Sequence, residues 1–272
     1  MTAADTIDLA AVKRGQQAVW ASGDYGAIAA MIHVVAERLV DGVDPAAGSS
    51  VLDVAGGTGN AAIAAARSNC RVTCTDYVPE LLERGRERAQ AERLEVAFEL
   101  ADAEALPYAD GAYDAVLSVF GAMFAPDQPR AAAELARVCR PGGLIGLAAW
   151  TPEGFLGDWF RAHAVHAAPP AGLESPLRWG TEEGIAALLG DAVSSIHSRR
   201  RVFTWRFPDA AALVRTFRTQ YGPTMKAFAT VGRDGAAALE RDLLAVVQRA
   251  AHRRENAITI PAEYLEVVAV RR

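Results

Sequence analysis

The chain has 272 residues, 51% of them hydrophobic and 22% charged, with a formal net charge of −5. That balance excludes a disordered or low-complexity chain and leaves apolar side chains enough for a core, in one large domain or two small ones. It gives no general pull toward nucleic acid, and every apolar run is broken before the roughly 18 residues that a membrane span needs.

Residues 1–8 are polar and acidic, without the basic and apolar regions of a secretory leader. Cys70, Cys74 and Cys139 form no paired C-x-x-C spacing. Neither a disulfide framework nor a metal site is expected, and a reducing cytoplasm is the natural compartment. Lysine stands only at positions 13 and 226 among 28 basic side chains, a skew that reads as compositional background.

In chain order, residues 6–41 read as one or two helices broken near Ser22-Gly23-Asp24. β-type runs then alternate with helical patterns: Val51–Val54, Val72–Asp76, Val96–Leu100, Ala115–Val119 and Leu144–Trp150, with helices at Ala61–Arg67, Glu80–Glu92 and Arg130–Cys139 between them. Pro79 precedes the second of these helices, and Pro141-Gly142-Gly143 reads as the stop of the third. Strand–helix–strand alternation predicts a doubly wound, mostly parallel α/β sheet. After Trp150 the alternation stops. A helix at Leu156–His166, a strand at Val193–Phe207, helices at Ala210–Tyr221 and Ala236–His252, and a closing strand at Tyr264–Val270 are expected. The last two strands complete seven, and the helices between them are expected to cap the carboxyl edge of the sheet. The organisation is therefore an N-terminal helical cap segment (1–47), a ligand-binding core (48–150) and C-terminal strands with an inserted helical cap (151–272).

The chemistry centres on Val51-Leu52-Asp53-Val54-Ala55-Gly56-Gly57-Thr58-Gly59-Asn60, a buried strand entering a glycine-rich turn and a helix. Glycine lets the backbone turn tightly and a ligand approach it. Gly57-x-Gly59-x-x-Ala62 also fits a dinucleotide fingerprint, with Asp76 at a plausible distance, which keeps a nicotinamide-dependent oxidoreductase open. Three carboxylates argue otherwise. Asp53 is acidic where a dinucleotide-binding strand stays apolar, and suits an ammonium group. Asp76 ends the next strand and could accept both hydroxyls of a ribose. Asp102 follows the strand after that and could take the exocyclic amine of an adenine. Alone, Asp53 or Asp76 could cap a helix and Asp102 could serve a turn.

With Leu-Asp-Val-Ala-Gly-Gly-Thr-Gly (52–59), Asp76, Ala-Asp-Ala-Glu-Ala-Leu-Pro (101–107) and Arg-Val-Cys-Arg-Pro-Gly-Gly (137–143) in order, the stretch 51–150 resembles a class I S-adenosylmethionine-dependent methyltransferase. It is most similar to the ubiquinone/menaquinone C-methyltransferase branch. The resemblance implies S-adenosylmethionine as cofactor. The backbone around Ala55 and Gly57 would line its methionine part, with Asp53 and the Ser118 carbonyl on the ammonium, and Gly56 and Asn60 would also touch the cofactor. Asp76 would bind the ribose, Asp102 the adenine amine and the Ala103 amide a ring nitrogen. Tyr77 and Phe120 would pack on the adenosine, with Met123 beside the sulfonium. Ala55 stands where the family pattern has its first glycine. Trp20 or Tyr25 is expected at the methionine end; the simpler role of their segment is to pack on the sheet.

Beyond residue 150 the likeness fades, and no Asn/Asp-Pro-Pro-aromatic clamp follows the fourth strand. Phe120, Met123 and Phe124 suggest an apolar mouth. Candidate bases are His163, His166 and Tyr221, although a residue on an apolar face is more often packed into the core. The expected activity is methyl transfer to a small apolar or aromatic acceptor. A non-methylating cyclase or decarboxylase on the same fold is the alternative. The expected partners are that small molecule alone, with no nucleic acid and no membrane insertion, in a monomer or homodimer.

Overall fold

A computed structural model describes residues 7–272. Residues 1–6, read as part of the N-terminal cap segment, lie outside the described residues. The chain runs α1 (Leu9–Trp20), α2 (Tyr25–Val43), β1 (Ser50–Val54), α3 (Asn60–Arg67), β2 (Arg71–Asp76), α4 (Pro79–Ala91), β3 (Val96–Leu100), β4 (Tyr113–Val119), α5 (Gln128–Val138) and β5 (Cys139–Trp150). It continues with α6 (Phe155–His166), α7 (Glu182–Leu189), β6 (Val193–Phe207), α8 (Ala210–Gln220), α9 (Gly222–Ala250), β7 (His252–Arg254) and β8 (Ala257–Arg271).

The sheet order is β3-β2-β1-β4-β5-β8-β6, with β7 paired to β8. β1 to β5 are parallel, while β8 runs antiparallel to both β5 and β6. Val51, Leu52, Asp53 and Val54 are all buried, as expected of a strand covered on both faces. From β1 the chain steps outward to β2 and β3; from β4 it steps the opposite way to β5. Right-handed crossovers therefore put α3 and α4 on one face and α5 on the other. The carboxyl ends of β1 and β4 open at this switch point, where ligands bind in such sheets.

Between α1 and α2 the chain breaks at Ser22-Gly23-Asp24, where Gly23 takes φ 72°. α2 buries Ile28, Ile32, Val35, Leu39 and Val43, a single stripe at helical spacing, and packs on α3 and β5. It is thus a layer of the core as well as a wall of the cleft below. α1 buries no residue fully.

Three local readings differ. The third helix of the alternating region stops at Val138, and Cys139 already pairs with Tyr113. Regular pairing resumes at Leu144, so Pro141-Gly142-Gly143 lies in a bulge rather than at a helix end. α7 and the two-residue hairpin that turns β7 into β8 have no counterpart among the expected elements. Finally, α9 starts at Gly222 and is kinked at Gly232, whose φ/ψ of 64°/−163° interrupts it. Among the described residues, no helix is long and apolar enough to cross a membrane.

Candidate functional site

A cleft with about 880 Å³ of open space lies over the carboxyl ends of β1, β2 and β4 and the turn after β3. Its floor is the glycine-rich turn, where Ala55, Gly57 and Gly59 take positive φ of 51°, 58° and 79°. A Cβ on Gly56 would lie 2.6 Å from Asp53 Oδ2, so only glycine fits beside that carboxylate.

Asp53 is buried at the end of β1. Its Oδ2 accepts the Ala62 N–H at 2.9 Å, while Oδ1 has no partner. Burial, partly offset by that N–H and reinforced by Asp76 nearby, pushes its carboxyl up to about 7. Asp76 ends β2, where Oδ2 accepts Gly57 N–H and Oδ1 accepts Val78 N–H, both at 2.9 Å. It braces the glycine turn against the start of α4, and burial pushes it up to about 6. Asp102 sits in the turn after β3. Its Oδ1 accepts Glu104 N–H at 2.9 Å and its Oδ2 accepts Lys13 Nζ at 2.6 Å. Lys13 also pairs with Glu104 Oε2. Burial opposes the charge on this lysine, but the two carboxylates hold its ammonium above the usual range.

Of the residues singled out in the sequence, Tyr25, Asp53, Ala55, Gly56, Gly57, Asn60, Asp76, Tyr77, Asp102, Ala103 and Phe120 line the cleft. Ser118 and Met123 do not. The Ser118 hydroxyl donates to the Val54 carbonyl at 2.8 Å and accepts Ala122 N–H at 2.9 Å, tying the ends of β1 and β4 together. Met123 is buried beneath the cleft wall, and Phe124 faces the opening instead.

The structure does not bring the two histidines to the cleft. His163 is buried with Nε2 3.3 Å from Thr224 Oγ1, against Trp159, and burial pushes it down to about 4. His166 Nε2 lies 2.7 Å from Asp242 Oδ2, between α6 and α9. Both serve the packing of these helices. Tyr221 lies at the α8–α9 junction and lines a second, nearly filled cavity of about 20 Å³, together with Trp150, Leu156, Trp205 and Phe217. This cavity shares Trp20, Tyr25, Ile32, Phe120 and Phe124 with the cleft. The Trp20 ring meets Phe124 at 5.0 Å, Tyr25 at 5.5 Å and Tyr221 at 5.8 Å between centroids, all edge to face.

Lys13, Gln16 and Glu104 line the cleft without having been singled out. Lys13 and Asp102 are 89 positions apart, and no local pattern links them. The one available signal was the rarity of lysine in an arginine-rich chain.

A methyltransferase domain matches residues 51–143. An uncharacterized protein of Mycobacterium tuberculosis is 40% identical over 234 residues, 83% of this chain and 84% of that one. The demethylmenaquinone methyltransferase of Deinococcus radiodurans is 38% identical over 126 residues, 45% of this chain and 52% of that one. The crystal structure of the YcgJ protein of Bacillus subtilis superposes with a TM-score of 0.60 at 18% identity, over 88% of this chain and 99% of that one.

The site's own chemistry fits the cofactor of this fold: Asp53 Oδ1 is a buried oxygen awaiting a donor, and Gly56 and Gly57 leave the turn open beside it. The chain belongs to the class I S-adenosylmethionine-dependent methyltransferases, and S-adenosylmethionine is its cofactor.

Proposed function

We propose that the chain methylates a small apolar or aromatic acceptor that meets the cofactor at the aromatic wall between the cleft and the adjoining cavity, which widens to admit it. The observation that carries this is the shared wall: Trp20, Tyr25, Ile32, Phe120 and Phe124 border both spaces. S-adenosylmethionine supplies a methyl group already activated on a sulfonium.

The chain's residues then have four tasks. Asp53 Oδ1 holds the ammonium of the methionine part, and the backbone from Ala55 to Gly57, with Asn60, surrounds that part. Asp76 takes the ribose hydroxyls with lone pairs its two backbone donors leave free. Asp102 takes the adenine amine, the Ala103 amide meets the ring, and Tyr77 packs on it. The aromatic wall stacks a flat acceptor and excludes water, which aligns it and strips its solvation. We assign the cap to α1 together with α6, α8 and α9.

Among the described residues, no histidine, lysine or carboxylate lines the aromatic cavity. Its ionisable groups are the Tyr25 and Tyr221 phenols, which burial pushes well up, so they stay protonated and donate hydrogen bonds. They orient an acceptor and do not deprotonate it. Alignment and desolvation thus drive the transfer, and the proton that the acceptor gives up passes to solvent and not to a side-chain base. Cys70, Cys74 and Cys139 are all free and buried, which suits the reducing cytoplasm where we place the protein.

The test is a screen for S-adenosylhomocysteine formation across phenols, quinones, amines and carboxylic acids. Turnover is expected with ring-bearing phenols or hydroquinones, the reduced form of the quinones, which alone carry a nucleophilic oxygen or ring carbon. Turnover confined to aliphatic amines and carboxylic acids would overturn the acceptor class.

A further inference from the structure

α1 covers one end of the cleft although none of its 12 residues is buried. An apolar stripe therefore does not hold it down. Besides Trp20 at its end, two polar side chains do. Gln17 Nε2 donates to the Tyr77 carbonyl, and Lys13 Nζ bridges Asp102 Oδ2 at 2.6 Å and Glu104 Oε2. Lys13 and Gln17 are four residues apart on one helix face, turned toward the loops that follow β2 and β3.

Besides the lysine, each carboxylate is held by a backbone donor. Asp102 Oδ1 accepts Glu104 N–H, and Glu104 Oε1 accepts Asp127 N–H at 2.8 Å. Without a cation, two like charges would face each other at a partly buried place, where the Glu104 side chain is 9% and that of Asp102 35% exposed. A single ammonium suits this geometry, because a compact point charge can sit between two carboxylates, whereas a guanidinium fork is shaped to grip one. The chain has 28 basic side chains, and this is one of its two lysines.

We propose that Lys13 is a positioning residue of the cofactor site: its bridge to Asp102 and Glu104 clamps α1 over the adenosine end and sets how long the cofactor stays bound. Lys13, Asp102 and Glu104 all line the cleft, so a ligand leaving at that end passes through the bridge. The clamp rests on the assignment of Asp76 and Asp102 to the adenosine.

The test is stopped-flow binding of S-adenosylhomocysteine to the full chain and to Lys13→Met, Glu104→Gln and their double variant. Each single change is expected to speed dissociation about 5- to 30-fold, with association little altered, as for a partly buried charge pair losing one member. The double variant is expected to be no faster than the worse single, because both changes remove one interaction. Lys13→Arg is expected to recover part of the loss. S-adenosylhomocysteine is expected to slow amide exchange over residues 9–20 in the unchanged chain and to do so much less in Lys13→Met.

An unaltered dissociation rate in folded Lys13→Met, or additive effects in the double variant, overturns the clamp. Should Lys13→Met not fold, Glu104→Gln and Lys13→Arg carry the same comparison. If Asp76→Ala leaves affinity unchanged, the adenosine assignment falls and the clamp with it; if Asp76→Ala weakens binding while Lys13→Met changes nothing, the clamp alone falls.

Discussion

Ala55 and Phe120 both hold left-handed backbone, with φ of 51° and 54°, at the carboxyl ends of the neighbouring strands β1 and β4. The two turns press together there. A Cβ on Gly121 would lie 2.1 Å from the Ala55 carbonyl oxygen, and the Phe120 ring stacks on Trp150 at 3.8 Å. Two non-glycine residues in this region carry strain of order 1 kcal/mol each, stored where the ligand cleft begins.

Relief of that strain is measurable. Ala55→Gly is expected to raise stability by about 0.5 kcal/mol, the gain at positive φ being partly offset by the greater freedom of glycine when unfolded. Gly121→Ala is expected to cost about 3 kcal/mol or more, because the added methyl meets backbone and not a movable side chain. Urea unfolding of both variants checks the pair. A destabilised Ala55→Gly, or a neutral Gly121→Ala, would contradict the description of these turns.

Asp76→Ala is expected to weaken cofactor binding about 10- to 150-fold, the worth of a carboxylate shared by two hydroxyls. Because Asp76 also accepts Gly57 and Val78 N–H, a fall in affinity has to be separated from a loosened turn. Asp76→Asn does so: its carbonyl can keep one backbone bond, while its amide puts a donor in place of the second acceptor. Calorimetric titration with S-adenosylhomocysteine decides. An unchanged dissociation constant in both folded variants removes Asp76 from the ribose.

The parallel half of the sheet was legible because each of its elements is local. β1 and its glycine turn, β2 ending in Asp76, and the turn holding Asp102 each fall within a few residues, and burial on both faces leaves continuous apolar runs. What stayed hidden depends on pairing across long separations. Lys13 reaches Asp102 and Glu104 only because α1 folds back over the sheet, and Trp20 meets Phe124 and Tyr221 for the same reason. His163 shows the opposite failure. Its place on an apolar helical face is the same whether it points into a ligand cavity or, as here, at Thr224 and Trp159. Periodicity records that a side chain is covered, not by what.

Asp53 links cofactor binding to protons. In the absence of ligand its carboxyl holds a proton up to about pH 7, against an ordinary value of 3.8, so the stability it lends is full below the ordinary value and is lost as pH rises through 7. A bound ammonium beside Oδ1 favours the ionised form, and binding below pH 7 must therefore release protons. Affinity is expected to tighten from pH 5.5 to 7, by up to about tenfold per unit, which is about 1.4 kcal/mol per proton. Calorimetry in two buffers of different ionisation enthalpy measures the release directly. Asp53→Asn is expected to bind weakly with little pH dependence. A flat profile in the unchanged chain would take the ammonium away from Asp53.

His163 supplies a stability term of the opposite sign. Its imidazole titrates at about 4 in the folded chain, against 6.5 ordinarily, because burial disfavours the charged ring. The neutral ring's contribution is therefore full above pH 6.5 and is lost as pH falls through 4, on the order of 3 kcal/mol at the acid end. His163→Gln keeps a polar group near Thr224 but cannot titrate. It is expected to lose less stability than the unchanged chain between pH 7 and 4.5 in matched urea titrations, and to retain cofactor affinity at pH 7.5. Because Asp53 and Asp76 titrate in both chains, the difference between the two isolates the histidine. An identical acid sensitivity would mean that His163 does not carry this term, and a collapse of cofactor affinity in the folded variant would return it to the site.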